Sequence, residues 1–297
     1  MQTDHSAIKR ISELSRFIEE VERIISDWSP DREFYPWFRG VPDTSYPLIP
    51  RLYRPECKTI LEWDKEGEIR LDFKRDAWPY LPATARERDN EWERYFLMQH
   101  YGLLTRLLDW SQSALVALYF AVREPFGKNR GKDAAVWVLD PYELNDKVLK
   151  KGPQLFRLFR PGDQEIEKYL PDPRKRPSPP LPRRPIALEA PFHSEYIAAQ
   201  KGVFTLHGKS QKGLETYKGF NRYLMKIEII GEAVPKLKEQ LSVAGISEAR
   251  VFPDLQHVCR DLFDYWTHED QKAAISAIGN RVSPEGAQGT GDRGSEP

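Results

Sequence analysis

Cysteine is scarce in this chain. Cys57 and Cys259 are the only two among 297 residues, which fits reduced thiols in a cytoplasmic compartment better than a disulfide framework. Net charge is absent too. The 45 lysines and arginines balance the 45 acids, so no bulk field draws the protein to nucleic acid or to an anionic membrane, and any such contact has to come from a local patch. No apolar run approaches the roughly 18 residues of a membrane span, and Met1–Arg10 holds no apolar signal core, so a cytoplasmic protein without membrane contact is expected. Walker A and G-x-S-x-G sequences are missing, which disfavours P-loop and serine-hydrolase chemistry. Gly289, Gly291 and Gly294 in GTGDRG match a dinucleotide-loop pattern by letter, but no strand leads in and no helix leads out. His257 and Cys259 lack a second ligand pair, so no metal is expected.

What is present is enough apolar residue, 40%, to bury a full core. Apolar positions at three- and four-residue steps predict a helix over Ser6–Trp28, ended by Pro30. FYPWFRG, Phe34–Gly40, reads as a strand running into a turn. Helical spacing follows at Thr59–Ala77 and Glu91–His100, then in the most apolar stretch, Ala114–Val122, with Ser111 near its N-cap. Strands are predicted at Ala134–Leu139, Val203–Leu206 and Tyr223–Ile230, and helices at Tyr142–Lys150, Glu232–Ala244 and Leu255–Ile278. The expected fold is a single α+β domain over residues 1–280, a small mixed or antiparallel sheet flanked by helices. Residues 281–297 are expected to form a disordered tail. Residues 171–191 hold eight prolines and the cations Arg174, Lys175, Arg176, Arg183 and Arg184. They read as a solvated polyproline-like inserted loop, with a nucleic-acid or partner contact as the alternative.

Two segments carry polar groups that a core does not require. In Trp37-Phe38-Arg39-Gly40 a guanidinium leaves an apolar strand beside a glycine that lets backbone approach a ligand closely. In Gln99–Ser111 (QHYGLLTRLLDWS), His100, Tyr101, Arg106, Asp109, Trp110 and Ser111 crowd the entry to the apolar helix. Each has a plain structural role as well: an Arg39–Asp109 ion pair, a local Arg106–Asp109 pair, Trp110, Tyr119 and Phe120 in the core, a satisfied His100, and Gln200 capping backbone.

WFRG, QHYG with TRLLDWS and ALVALYFAV, AAQKGVFT and VFPDL, in this order over about Trp37–Leu255, resemble the bacterial FRG domain family. Leu104 and Ser111 stand where the family usually has proline and threonine. The resemblance implies an intracellular effector of bacterial stress or phage defence, a toxin-like protein with a possible neutralising partner. A weaker likeness, to the R-S-E layout of ADP-ribosyltransferases, assigns Arg39 to the first motif and Ser111 to the second, and sets Gln200 where those enzymes have glutamate. It implies NAD as co-substrate, either to modify a macromolecular acceptor or to be hydrolysed as by an NAD glycohydrolase. Cleaving the nicotinamide bond passes through an oxocarbenium-like state, as glycoside cleavage does. On that reading Arg39, His100, Asp109 and Gln200 are the catalytic candidates, with Glu195 a second acid or base. Arg39, Gly40, Tyr101, Arg106, Trp110 and Ser111 are the candidates for holding the dinucleotide. The alternative is a non-enzymatic module that binds a nucleotide, a nucleic-acid end or a protein segment in the same pocket.

Overall fold

The computed structural model describes residues 10–28, 35–59, 65–81, 83, 86, 89–123, 128–149, 157–175, 179–190 and 195–267. Its centre is a seven-stranded mixed sheet in the order β1-β7-β4-β2-β3-β6-β5. The strands are β1 (Arg10–Ile11), β2 (Trp37–Val41), β3 (Leu107–Ser111), β4 (Ala134–Leu139), β5 (Ile186–Leu188), β6 (Gly202–Leu206) and β7 (Leu224–Ile229). Only β1 against β7 is parallel; every other pair is antiparallel. The helices are α1 (Leu14–Trp28), α2 (Glu66–Ala77), α3 (Glu91–His100), α4 (Ala114–Val122), α5 (Pro141–Leu149), α6 (Gln164–Glu167), α7 (Glu195–Gln200), α8 (Val234–Val243), α9 (Glu248–Val251) and α10 (255–267).

The α+β class is as expected, but the sheet is larger than the small one read from sequence. Three strands come from segments assigned otherwise. Arg10–Ile11 lies within the first turns of the predicted first helix, Leu107–Ser111 lies in the polar turn, and Ile186–Leu188 lies inside the proline-rich loop. The first helix starts at Leu14, not Ser6. The N-cap of α4 is Ser113, whose hydroxyl accepts from the Val116 N–H at 3.4 Å. Ser111 instead accepts the Ser113 N–H at 2.9 Å, two residues upstream of the cap. The predicted tail, and the predicted helix beyond residue 267, lie outside the described residues.

One face of the sheet is covered by two separate helical blocks. Over β2, β4 and β7, α1, α4 and α8 bury Phe17, Ile24, Leu118, Val136, Ile227 and Leu237 together. Over β3, β5 and β6, α3 buries Tyr95, Phe96 and Met98 with Leu107, Phe204 and Leu206. The opposite face carries Trp37, Leu108, Trp110, Trp137 and Val203 under the loops around Leu48 and Leu214. The blocks on the first face part above the junction of β2 and β3, where a cleft opens.

Part of the proline-rich segment is pinned to this body. The Lys209 and Ser210 N–H groups donate to Pro182 O and Arg183 O at 2.7 and 3.2 Å, and the Tyr169 hydroxyl donates to Arg184 O at 2.8 Å. A side chain at Gly208 would place its Cβ 2.0 Å from Pro182 O, so the close approach needs glycine. Arg174 folds onto Asp172 at 3.0 Å, and the Arg184 guanidinium donates to Lys147 O at 2.9 Å. Arg176 lies outside the described residues.

Candidate functional site

The seam between β2 and β3 is short. The two strands share a single register pair, Phe38 with Ser111, whereas β2 against β4 and β3 against β6 run for five pairs each. A continued antiparallel ladder would set Gly40 against Asp109. In its place the Arg39 guanidinium crosses the gap, and Nη1 donates to Asp109 O at 2.5 Å. Helix α4 fixes the other side of β2: a Cβ on Gly40 would fall 1.8 Å from Ala117 O and 2.6 Å from Ala121 N. Gly40 therefore admits a helix backbone, where the sequence reading had it admitting a ligand. The small residues Ala117 and Ala121 belong to the same contact.

Above this seam lies a cleft of about 780 Å³, lined from β2, β3, α3, α4, β6, α7 and the loop after α9. Arg39, Gly40, His100, Tyr101, Asp109, Trp110, Ser111 and Gln200 all line it. Asp109 is the one carboxylate among the described lining residues, and its side chain is 56% exposed. Strand alternation aims it at the cleft face, on which Phe204 is its register partner. Its carboxylate is held by Gln99, whose Nε2 donates to both oxygens at 2.9 Å. Gln99 is in turn fixed by the Thr105 hydroxyl, which donates to its Oε1. Arg39 Nη1 stands 3.8 Å from Asp109 Oδ2. Burial pulls the Arg39 pKa down and the Asp109 charge works against that shift.

His100 ends α3 and meets Tyr101 and Tyr196 edge to face, with ring centres at 4.8 and 4.7 Å. Burial lowers its pKa, while Asp109 pulls it upward. The ring is thus set as a neutral imidazole near the carboxylate. Phe252 extends the aromatic wall, 6.3 Å from Tyr196 and 5.8 Å from Phe120, with the Arg123 guanidinium 5.2 Å from its ring centre. The loop carrying Phe252 is anchored by Asp254, which accepts from the Tyr196 hydroxyl and contacts His257 Nδ1 at 2.7 Å. These bonds hold the Asp254 pKa down at about 2, Tyr196 contributing most.

Four predicted residues sit differently from the rest. Trp110 buries its indole in the opposite core and donates from Nε1 to Thr205 Oγ1 at 3.1 Å. The aromatic rings that line the cleft include those of Tyr101, Tyr196 and Phe252. Gln200 donates from Nε2 to Val251 O at 3.1 Å, and its carbonyl accepts the Ser111 hydroxyl at 2.6 Å. Both contacts tie α7 to its neighbours. Arg106 does not line the cleft. It is 1% exposed, pairs with Glu66 through Nε at 2.7 Å, and donates to His207 O at 2.9 Å and to Tyr169 O. Burial works against its charge, but Glu66, Tyr95 and Tyr53 together hold its pKa above the usual arginine value. Glu195 is exposed at the start of α7 and is not among the lining residues.

Gln99, Tyr196 and Phe252 were not singled out by sequence reasoning. Each lies inside or beside a quoted motif, QHYG, AAQKGVFT or VFPDL, but nothing local marks its partner. Among the described residues no group of three or more His, Cys, Asp or Glu side chains gathers as a metal site, and no helix is long and apolar enough to cross a membrane.

Comparison with known proteins finds one likeness, over part of the chain. Residues 35–130, the span from β2 through α3, β3 and α4, match the family model of the FRG domain. The match is confined to that span of the 297 residues. No curated protein and no solved structure matches it.

Proposed function

We propose that the cleft binds NAD and cleaves the bond between nicotinamide and ribose, passing ADP-ribose to water or to a macromolecular acceptor. The observation that carries this reading is Asp109, the one carboxylate among the described residues lining the cleft, fixed through both oxygens by Gln99 and backed by Arg39. In the reaction the C1′–N bond breaks and its electron pair leaves with nicotinamide. The ribose becomes an oxocarbenium-like cation, which the acceptor oxygen attacks with loss of a proton. A preorganised carboxylate stabilises that cation without having to reorient. His100, held neutral by burial, is the group suited to take the acceptor's proton. The Arg39 fork carries more donors than its bond to Asp109 O uses and suits a phosphate oxygen, and the aromatic wall suits a flat ring. As an NAD-consuming enzyme the protein would act as an effector in bacterial stress or phage defence.

A second reading is favoured by Gln200. Where the likeness to ADP-ribosyltransferases sets a glutamate, this side chain is an amide engaged with Val251 O, which fits a module that binds a nucleotide without cleaving it. Calorimetric titration with NAD and with ADP-ribose tests both readings together. Wild-type protein binding either ligand, with Arg39→Lys weaker by about tenfold or more for loss of the bidentate fork, supports the cleft as a nucleotide site. Binding without nicotinamide release selects the module, and no binding of either ligand rejects both.

A further inference from the structure

Among the described residues, helix α10 (255–267) is attached to the body along one side. Asp261 accepts the Ala249 N–H at 2.9 Å, Arg260 reaches Glu248 at 3.2 Å, and His257 leans on Asp254. The other side is apolar and open. Leu255, Val258, Leu262, Phe263, Tyr265 and Trp266 are all exposed, from 40% at Val258 to 82% at Leu255. Val258, Leu262 and Tyr265 follow Leu255 at steps of three, four and three, and Trp266 follows Leu262 at four. At 3.6 residues per turn these five fall on one stripe about 100° wide, the a/d/e seam of a helix that packs on another helix.

We propose that this face pairs with the same face of a second copy of the chain, the two α10 helices running antiparallel about a two-fold axis. The area supports a self-pair. The five stripe side chains at these exposures leave on the order of 600 Å² per copy, and two copies together reach the roughly 1,200 Å² at which specific stable interfaces begin. The chemistry separates this occupant from a lipid surface. The charged residues of α10 are Arg260, Asp261 and Asp264, which present no basic cluster to anionic headgroups. A closed two-fold contact also satisfies the stripe without leaving an open end for further copies. Cys259 is exposed next to the stripe, close to its midpoint. In an antiparallel pair with axes about 8–10 Å apart, the two Cys259 thiols come within reach of a short bifunctional maleimide.

The test is sedimentation velocity on the full chain at micromolar and tens-of-micromolar concentrations, beside crosslinking with such a maleimide. The expected result is a species of twice the 34.6 kDa chain mass. It should revert to monomer in the Leu262→Glu/Trp266→Glu variant, and wild-type protein should crosslink where Cys259→Ser does not. Cys57 is buried and does not compete. Circular dichroism and the thermal midpoint of the variant show whether it is folded; if it is not, the wild-type crosslink decides. A chain that stays monomeric at the highest concentration overturns the proposal. So does a dimer that survives the double substitution without a Cys259 crosslink, or a monomer that floats with phosphatidylserine vesicles.

Discussion

Replacing Arg106 by methionine separates the buried charge cluster of this fold from the charges in its cleft. Methionine keeps most of the aliphatic volume and removes only the guanidinium, so the loss is electrostatic rather than a cavity. The guanidinium makes bonds to both Glu66 oxygens, at 2.9 and 2.7 Å, and to the carbonyls of His207 and Tyr169. Without it the Glu66 carboxylate, 15% exposed, is buried with no cation, and two carbonyls lose a donor. Breaking one side of a buried ion pair costs about 3–5 kcal/mol, set against a total stability of about 5–15 kcal/mol for a typical fold. With about 2–4 °C per kcal/mol for a domain of this size class, the midpoint should fall by roughly 10 °C. The double variant Arg106→Met/Glu66→Leu removes the orphaned carboxylate as well and should recover about half of that loss. Urea unfolding followed by tryptophan fluorescence reads both. An Arg106→Met protein within about 1 kcal/mol of wild type would refute a structural role for this residue, and a selective loss of nucleotide binding would return it to the ligand site.

Gly40→Ala should unfold the protein or cost several kcal/mol, since the new Cβ would meet the α4 backbone 1.8 Å away; a soluble variant with an unchanged thermal midpoint contradicts the packing of α4 on β2. His207 is fully buried, and burial, followed by Arg106 and Arg39, drives its pKa down to about 3. Its folded pKa thus lies below the unfolded value near 6.5, so its contribution to stability is present above that value. It is lost as pH falls towards 3, by up to about 1.4 kcal/mol per unit. His207→Phe should flatten this acid limb, and an identical pH profile in the variant argues against it. Asp109→Asn removes the charge that raises the His100 pKa, so NMR titration of that imidazole should show a further fall; no change would mean that the two groups do not communicate across the cleft.

Sequence pattern carried the long elements well. α3 and α4 have the predicted bounds, Glu91–His100 and Ala114–Val122, and β4 does at Ala134–Leu139, because capping, apolar content and β-branching agree there. What it lost were strands whose local signal is overruled by neighbours. β3 looks like a polar turn because Asp109 and Ser111 face a cleft, and only its ladder to β6 makes it a strand. β5 is three residues long, sits among prolines, and exists through its register with β6. The motifs marked the cleft, since WFRG and LLDWS are its two walls. They did not reveal the division of labour among the charges. Arg39 and Arg106 are alike in sequence, one at a cleft seam and the other sealed with Glu66, and the residue that decides between those fates lies 40 positions away in the chain. Trp110 was similarly ambiguous until strand alternation set it on the face opposite Asp109.

The proposed chemistry depends above all on Asp109 acting as a preorganised carboxylate towards NAD. Nicotinamide release from NAD, measured by chromatography for wild-type protein and for Asp109→Asn at equal concentration, tests that most directly. The expected result is release by the wild type and a rate lower by about a hundredfold or more in the variant, the size of loss that follows removal of one preorganised electrostatic group, with the thermal midpoint preserved. Equal rates in the two proteins, or no release from either in the presence of candidate acceptors, would contradict it.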